Sequence, residues 1–311
     1  NKIWNVTRFI LMSSELGVLS LACRQAGSEF KNLELADRWI LSRYQCLVRD
    51  VTELFDGYDF GEAARKIYDF LWGEFCDWYV EISKKDLYSD DPKRKERVLN
   101  VLLCVLEGTL RIMHPLMPFI SEEIWALVKG KGASDYLLQA EWPKVDNKLV
   151  DEKSEKAMEV LKAIITSVRN IKAEMGIQTQ DIEVIMVIKG IKDREIVAQG
   201  EQFIKALAKI SKITIHEKLK TKPEQSATGV VGDIQFYVPL KGLVDIEKEV
   251  ERLKKEQEKT DGEIERLKAL LAKKSFVDKA DPEAVQKQRD KLQELTEKKM
   301  VLTARLQDLA A

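Results

Sequence analysis

The sequence predicts a mainly α-helical chain made of an antiparallel helical bundle, a small α+β domain and a C-terminal antiparallel two-helix coiled coil. Three observations predict it. Residues 1–145 carry apolar stripes at helical spacing. Residues 146–241 add short β-branched runs to two helical patterns. Over 242–311 apolar positions recur at alternating intervals of three and four, the seam of a heptad repeat.

In the bundle, Trp4, Phe9 and Ile10 mark a first helix, broken near Ala26-Gly27-Ser28. A second runs from Leu35 through Trp39, Leu47, Val51 and Phe55 and ends near Gly57. A third starts near Asp59 and carries the aromatic band Tyr68, Phe70, Trp72, Phe75, Trp78 and Tyr79. Asp91-Pro92 starts a fourth with the stripe Val98, Leu102, Val105, Leu106 and Leu110; His114-Pro115 ends it, because the proline ring disfavours a helical residue before it. Pro118 and Ser121-Glu122-Glu123 open a short fifth.

Beyond residue 146, a helix from Asp151 to Met175 is capped by Gly176. Strands follow at Ile182–Ile188 and Ile213–His216, with a helix around Glu195–Ile210 between them. Gly229–Val231 and Ile234–Val238 form a hairpin about Gly232-Asp233.

The heptad seam runs Leu243, Ile246, Val250, Leu253, Gln257, Thr260, Ile264, Leu267 and Leu271. It is interrupted at Ser275-Phe276, then restarts at Asp281-Pro282, a good cap followed by a good first helical residue. It continues as Val285, Gln288, Leu292, Leu295, Lys299, Leu302, Leu306 and Leu309. Folding about the break pairs Leu253 with Leu302 and sets Gln257 opposite Lys299, a polar layer able to fix the register. Arms of about 30 residues make a rod of roughly 45 Å.

With 51 basic against 52 acidic residues, no global field draws the chain to nucleic acid or membrane, so such binding has to be local. Charge on the rod is sorted. Asp245–Glu265 holds five Lys/Arg against nine Asp/Glu; Arg266–Lys291, across the tip, holds eight against four. A solvated face is the ordinary explanation of charge on a coiled coil. Basic residues gathered at the far end fit better a lever that carries them to a polyanion.

No apolar run approaches the twenty or so residues needed to cross a bilayer. No signal-peptide pattern is present, and the chain opens in a helical pattern without Met, which reads as a piece of a longer protein. Cys23, Cys46, Cys76 and Cys104 lie in apolar helical stretches without CxxC spacing and read as buried, reduced thiols.

Catalytic patterns are absent. His114 precedes a proline, where packing or capping is its ordinary role, and His216 sits in a short strand as an exposed residue. Glu122-Glu123 are helix-start carboxylates rather than an acid–base pair. No phosphate-cradling loop, metal cluster or nucleophile elbow can be read. Nucleic-acid chemistry fares better. The first helix presents Lys2, Asn5, Arg8 and Phe9, with Asn5 and Phe9 four apart and therefore on one face. An amide, a ring and two cations supply edge hydrogen bonds, stacking and phosphate contact to unstacked bases. The competing reading of Phe9 is ordinary core, packed with Trp4 and Ile10.

Several segments together resemble one family: Asn1-Lys2-Ile3-Trp4-Asn5 with Arg8-Phe9; Ala36-Asp37-Arg38-Trp39-Ile40-Leu41-Ser42-Arg43; Phe75-Cys76-Asp77-Trp78-Tyr79; His114-Pro115-Leu116-Met117-Pro118-Phe119-Ile120-Ser121-Glu122-Glu123-Ile124-Trp125; and Ser275-Phe276-Val277 with Asp281-Pro282-Glu283-Ala284-Val285. The set is similar to the C-terminal part of bacterial-type valyl-tRNA synthetases, class I aminoacyl-tRNA synthetases, over essentially the whole chain. The His-Pro-Leu-Met-Pro-Phe stretch recurs in the isoleucyl and leucyl enzymes; the terminal hairpin points to valine. The resemblance implies an anticodon-binding bundle at 1–145, a small α+β junction domain at 146–241 and a coiled-coil tRNA-binding arm at 242–311. It implies anticodon contact through Lys2, Asn5, Arg8 and Phe9, and contact with the tRNA elbow through Arg266, Lys268, Lys273, Lys274, Phe276, Lys279 and Arg289. Asp77 and Trp78 read as mainly structural, with RNA contact as the alternative.

The family's His-x-Gly-His and Lys-Met-Ser-Lys-Ser type signatures occur nowhere, so the fragment itself is expected to be inactive and to need no cofactor, ATP and magnesium serving the parent enzyme. The implied partner is tRNA-Val, with no membrane and no DNA, for a monomeric cytoplasmic protein. The rival reading, from another class, is a coiled-coil protein-interaction module with no RNA role. Its only support is scattered outer apolar residues, Ala269, Leu270, Ala284 and Met300.

Overall fold

The computed structural model of the chain describes residues 1–13, 30, 32–129, 133–219, 221, 223–240, 242–243, 246–272 and 282–310. The fold is mainly helical with one small four-stranded mixed sheet, and it divides into two compact units, Asn1–Lys162 and Ala163–Ala311. Cys23, the break at Ala26–Ser28, and Lys273, Lys274, Phe276, Lys279 and Asp281 lie outside the described residues.

The first unit holds α1 (Lys2–Ser13), α2 (Leu35–Asp56), α3 (Phe60–Asp69), a π-helical segment (Phe70–Tyr79), α4 (Val80–Leu87), α5 (Pro92–Met113) and α6 (Pro118–Val128). Two 3-10 turns follow, Leu137–Gln139 and Asn147–Leu149, and then the start of α7 (Glu152–Glu174). The starts follow cap chemistry: the Asp59 carboxylate accepts from the Glu62 N–H at 3.2 Å, and Asp91, ahead of Pro92, accepts from Lys93 N–H at 2.9 Å. The aromatic band is not plain α-helix. Through Phe70–Tyr79 the backbone takes the wider i→i+5 pattern, and Val80 N–H bonds back to the Phe75 carbonyl.

Trp39, Trp125, Tyr79 and Phe75 fill the core, each removing about 150–250 Å² from water. Tyr44 packs so close to α5 that a Cβ at Gly108 would lie 1.8 Å from its hydroxyl. Two ionic hubs tie the helices. Arg43 grips Glu74 of the π segment with two hydrogen bonds of 2.8 and 3.0 Å and reaches Glu155 of α7 at 3.2 Å. Arg97 joins α5 to Glu34 and Asp37 at the start of α2 and to Asp86 of α4.

The second unit holds the rest of α7, β1 (Ile182–Val187), α8 (Ile191–Ala208), β2 (Ile210–His216), β3 (Ser226–Val231), β4 (Ile234–Pro239), α9 (Ile246–Leu271) and α10 (Pro282–Ala310). Strand order is β2-β1-β4-β3: β1 pairs parallel with β2 across the α8 crossover and antiparallel with β4, which hairpins onto β3. Gly176, at φ +70, ends α7, and Gly232, at φ +54, turns the β3–β4 hairpin. β2 begins three residues earlier than the sequence predicts, since its edge pairing with β1 extends beyond the β-branched run.

α9 and α10 lie side by side and antiparallel: Gln257 donates to Thr303 at 2.9 Å, while four residues up α9 Asp261 pairs with Lys299, four residues back on α10. Gln257 and Lys299, opposite one another in the sequence-based register, thus each engage a residue one turn away. Leu253, Thr260, Ile264, Leu267, Val285 and Leu302 are buried, and each other seam position with a described side chain is half-buried.

Candidate nucleic-acid interface

Ile3, Thr7 and Ile10, spaced to share one helical face, are buried where α1 packs on α5 and the π segment. That packing turns Asn5, Arg8 and Met12 out to solvent. Phe9 is half-buried, with the Lys84 ammonium 5.7 Å above its ring and Lys84 in turn 2.6 Å from Glu81. It is therefore neither the ordinary core residue of the competing reading nor level with exposed Asn5, although the two are four apart.

Lys2 is the most engaged of the four. Its ammonium pairs with the Asp77 carboxylate, faces the Trp72 carbonyl at 3.5 Å and lies 5.2 Å from the Trp72 ring centroid. Trp72 is stacked on Tyr68, centroids 4.8 Å apart, and Tyr68 is 55% exposed. An exposed pair such as Lys2–Asp77 contributes only about 0–1 kcal/mol, so it can open to a ligand. Asp77 lies 75 residues from Lys2, and no local spacing in the sequence marks the pairing.

On the α9–α10 pair, Lys298 meets Glu256 at 2.9 Å and Lys299 meets Asp261 at 2.7 Å. Arg266, Lys268 and Arg289, nearer the break between the helices, are exposed and carry no ion pair among the described residues. Basic side chains toward that end are therefore open, whereas Lys298 and Lys299, farther along, are neutralised.

Other residues of the quoted motifs serve the scaffold. Buried Asp37 accepts from the Tyr79 hydroxyl at 2.7 Å and from the Glu34 N–H at 3.0 Å; burial raises its carboxyl above the usual range, against these bonds and Arg97. Ser42 bonds Glu155 and accepts from Asp151 N–H at 2.8 Å. Trp39 is buried under the Lys162 ammonium, 5.0 Å from its ring. His114 Nδ1 shares a 2.8 Å hydrogen bond with Ser121, a packing role, and Glu122 takes the Leu137 N–H at 2.9 Å. Cys46, Cys76 and Cys104 are free thiols; Cys76 is buried as expected, whereas Cys46 and Cys104 are only half-buried. Burial pushes the Cys76 thiol up to about 12. Among the described residues, no group of three or more His, Cys, Asp or Glu side chains could hold a metal ion, and no helix is long and apolar enough to cross a membrane.

Comparison with known proteins adds the family. Residues 37–187 match the anticodon-binding domain of tRNA ligases, and residues 245–310 match the tRNA-binding arm of valyl-tRNA synthetases. The valine–tRNA ligase of Thermotoga maritima is 40% identical over 311 residues, 99% of this chain and 34% of the relative. That of Geobacter sulfurreducens is 39% identical over 312 residues (99% and 34%), and that of Clostridium acetobutylicum 37% over 294 (94% and 32%). The chain spans about a third of the length of these curated relatives. With an anticodon-binding match over residues 37–187 and the valyl arm match over α9 and α10, the chain belongs to the valyl-tRNA synthetase family.

Proposed function

We propose that the chain is the tRNA-recognition portion of a valine–tRNA ligase, which attaches valine to tRNA-Val at the expense of ATP. Residues 1–145 act as a helical bundle that binds the anticodon through Lys2, Asn5, Arg8 and Phe9. Residues 146–241 act as a junction, and 242–311 as a coiled-coil arm that holds the tRNA elbow through Arg266, Lys268, Lys273, Lys274, Phe276, Lys279 and Arg289. ATP and magnesium act, in this reading, on parts of the parent enzyme beyond these residues, and the protein works as a cytoplasmic monomer.

The observation that carries this reading is the pair of independent family matches, to an anticodon-binding domain over 37–187 and to a tRNA-binding arm over 245–310. An exposed amide and guanidinium beside an accessible ring suit unstacked bases. Unpaired cations at one end of a helical pair suit an RNA backbone. The interaction-module rival is not favoured: the described seam positions are occupied, leaving, among the described side chains of α10, Met300 and Val301 as exposed large apolar residues. Titrating the chain with tRNA-Val and with a tRNA of another anticodon tests the proposal. Salt-sensitive binding with preference for tRNA-Val supports it; equal affinity for both, or none, refutes it.

A further inference from the structure

Lys2 and Asp77 form a hydrogen-bonded pair at the flank of α1 and the π segment, with Asp77 57% exposed. A lysine ammonium has three N–H donors. One meets Asp77, a second faces the Trp72 carbonyl, and a third is left. A carboxylate is acceptor only, with two oxygens. Asp77 Oδ1 takes Lys2, and among the described residues Oδ2 has no partner. The pair therefore presents a donor beside an acceptor, with formal charges that cancel.

Such a pair is a poor seat for phosphate, whose binding draws on net positive charge and counterion release. Its complement is a neutral edge offering an acceptor beside a donor. We propose that Lys2 and Asp77 together read one unstacked nucleobase whose Watson–Crick edge sets an exocyclic amino donor beside a ring-nitrogen acceptor, adenine or cytosine. The amino group donates to Asp77, and the adjacent ring nitrogen accepts from Lys2. A keto base in the same seat sets a carbonyl oxygen against the carboxylate. Asp77 thus becomes a specificity-determining residue, and Lys2 a base reader rather than a phosphate contact. The stacked Tyr68–Trp72 pair adjoins this seat and walls it on the Trp72 side. The inference rests on the proposed binding of the anticodon loop by the first unit.

The test measures binding of the full 311-residue chain to tRNA-Val transcripts with anticodon bases changed singly, across a salt series. At one position, exchanging the amino base for the keto base of the same ring size is expected to weaken binding about tenfold. Asp77→Asn removes that difference and, by freeing the Lys2 charge, steepens the log–log salt dependence by about one unit. Lys2→Gln also removes the difference and, by leaving the Asp77 charge unpaired, makes the salt dependence shallower rather than steeper. Thermal melts matching the wild type show that both variants are folded. An unaltered base profile in Asp77→Asn overturns the inference, as does an unaltered base profile in Lys2→Gln. Wild-type binding indifferent to every anticodon base overturns the proposed function as well; base-dependent binding that ignores Asp77 overturns this inference alone.

Discussion

At the scale of single residues, contacts divide those that hold the fold from those free to meet a ligand. Asn5 and Arg8 are exposed because Ile3, Thr7 and Ile10 use up the inward face of α1. Asn5→Ala is therefore expected to leave thermal stability nearly unchanged, whereas Phe9→Ala, at a half-buried ring under Lys84, lowers it modestly; both lower discrimination between anticodons. A lost stacking partner costs about 1–3 kcal/mol per base, which tRNA titrations with swapped anticodons would register. Gly108 is the opposite kind of residue. Gly108→Ala drives a methyl into the Tyr44 hydroxyl and should cost about 1–3 kcal/mol in urea unfolding, with no change in base preference among molecules that remain folded. Cys76 offers a third check. Its thiol is buried and titrates near 12, so iodoacetamide at pH 8 should label it only as fast as the protein unfolds, and Cys46 and Cys104 sooner. The sign follows from linkage: the unfolded thiol, at about 9, loses its proton first, so this group's contribution to stability is present below pH 9 and declines toward pH 12.

Elements were legible in the sequence where local chemistry decides them. Asp91-Pro92 starts α5, Gly176 ends α7, Gly232 turns the hairpin, and the three–four spacing marks both helices of the C-terminal pair. The π segment was not legible, because the spacing of side chains over ten residues does not separate i→i+4 from i→i+5 bonding. Nor were the hubs: Arg43 finds Glu74 and Glu155, 31 and 112 residues away, and Lys2 finds Asp77, through tertiary packing alone. Lys172 is another such element device. It is buried, and its ammonium donates to the carbonyls of Gln180, Ala208 and Lys209, joining α7 to the end of α8 and the approach to β1. Lys172→Met strands those carbonyls and should destabilise the chain by about 1–3 kcal/mol, measured by thermal unfolding. On the helical pair, Lys268→Glu with Arg289→Glu should weaken tRNA binding whatever the anticodon. The log–log salt slope should also fall by about two, since each change removes one unpaired cation.

For the whole molecule, the proposed function gives the two compact units two kinds of recognition. In the first, hydrogen-bonding and stacking groups sit beside one another, as base reading requires. In the second, open cations collect at one end of a helical pair, as backbone binding requires. Much of this was readable from the chain: the helical first part, the small sheet, the heptads and the sorted charge. What the sequence could not reveal was how engaged Lys2 and Phe9 are, since both partners, Asp77 and Lys84, come from distant segments. A chemical footprint of the chain on tRNA-Val tests the account most directly, because it locates both recognition surfaces in one experiment. The account predicts two separate protected regions: the anticodon loop, lost with Asn5→Ala and Phe9→Ala together, and the elbow, lost with Lys268→Glu and Arg289→Glu together. Protection spread evenly along the tRNA, or missing from the anticodon loop, would contradict it.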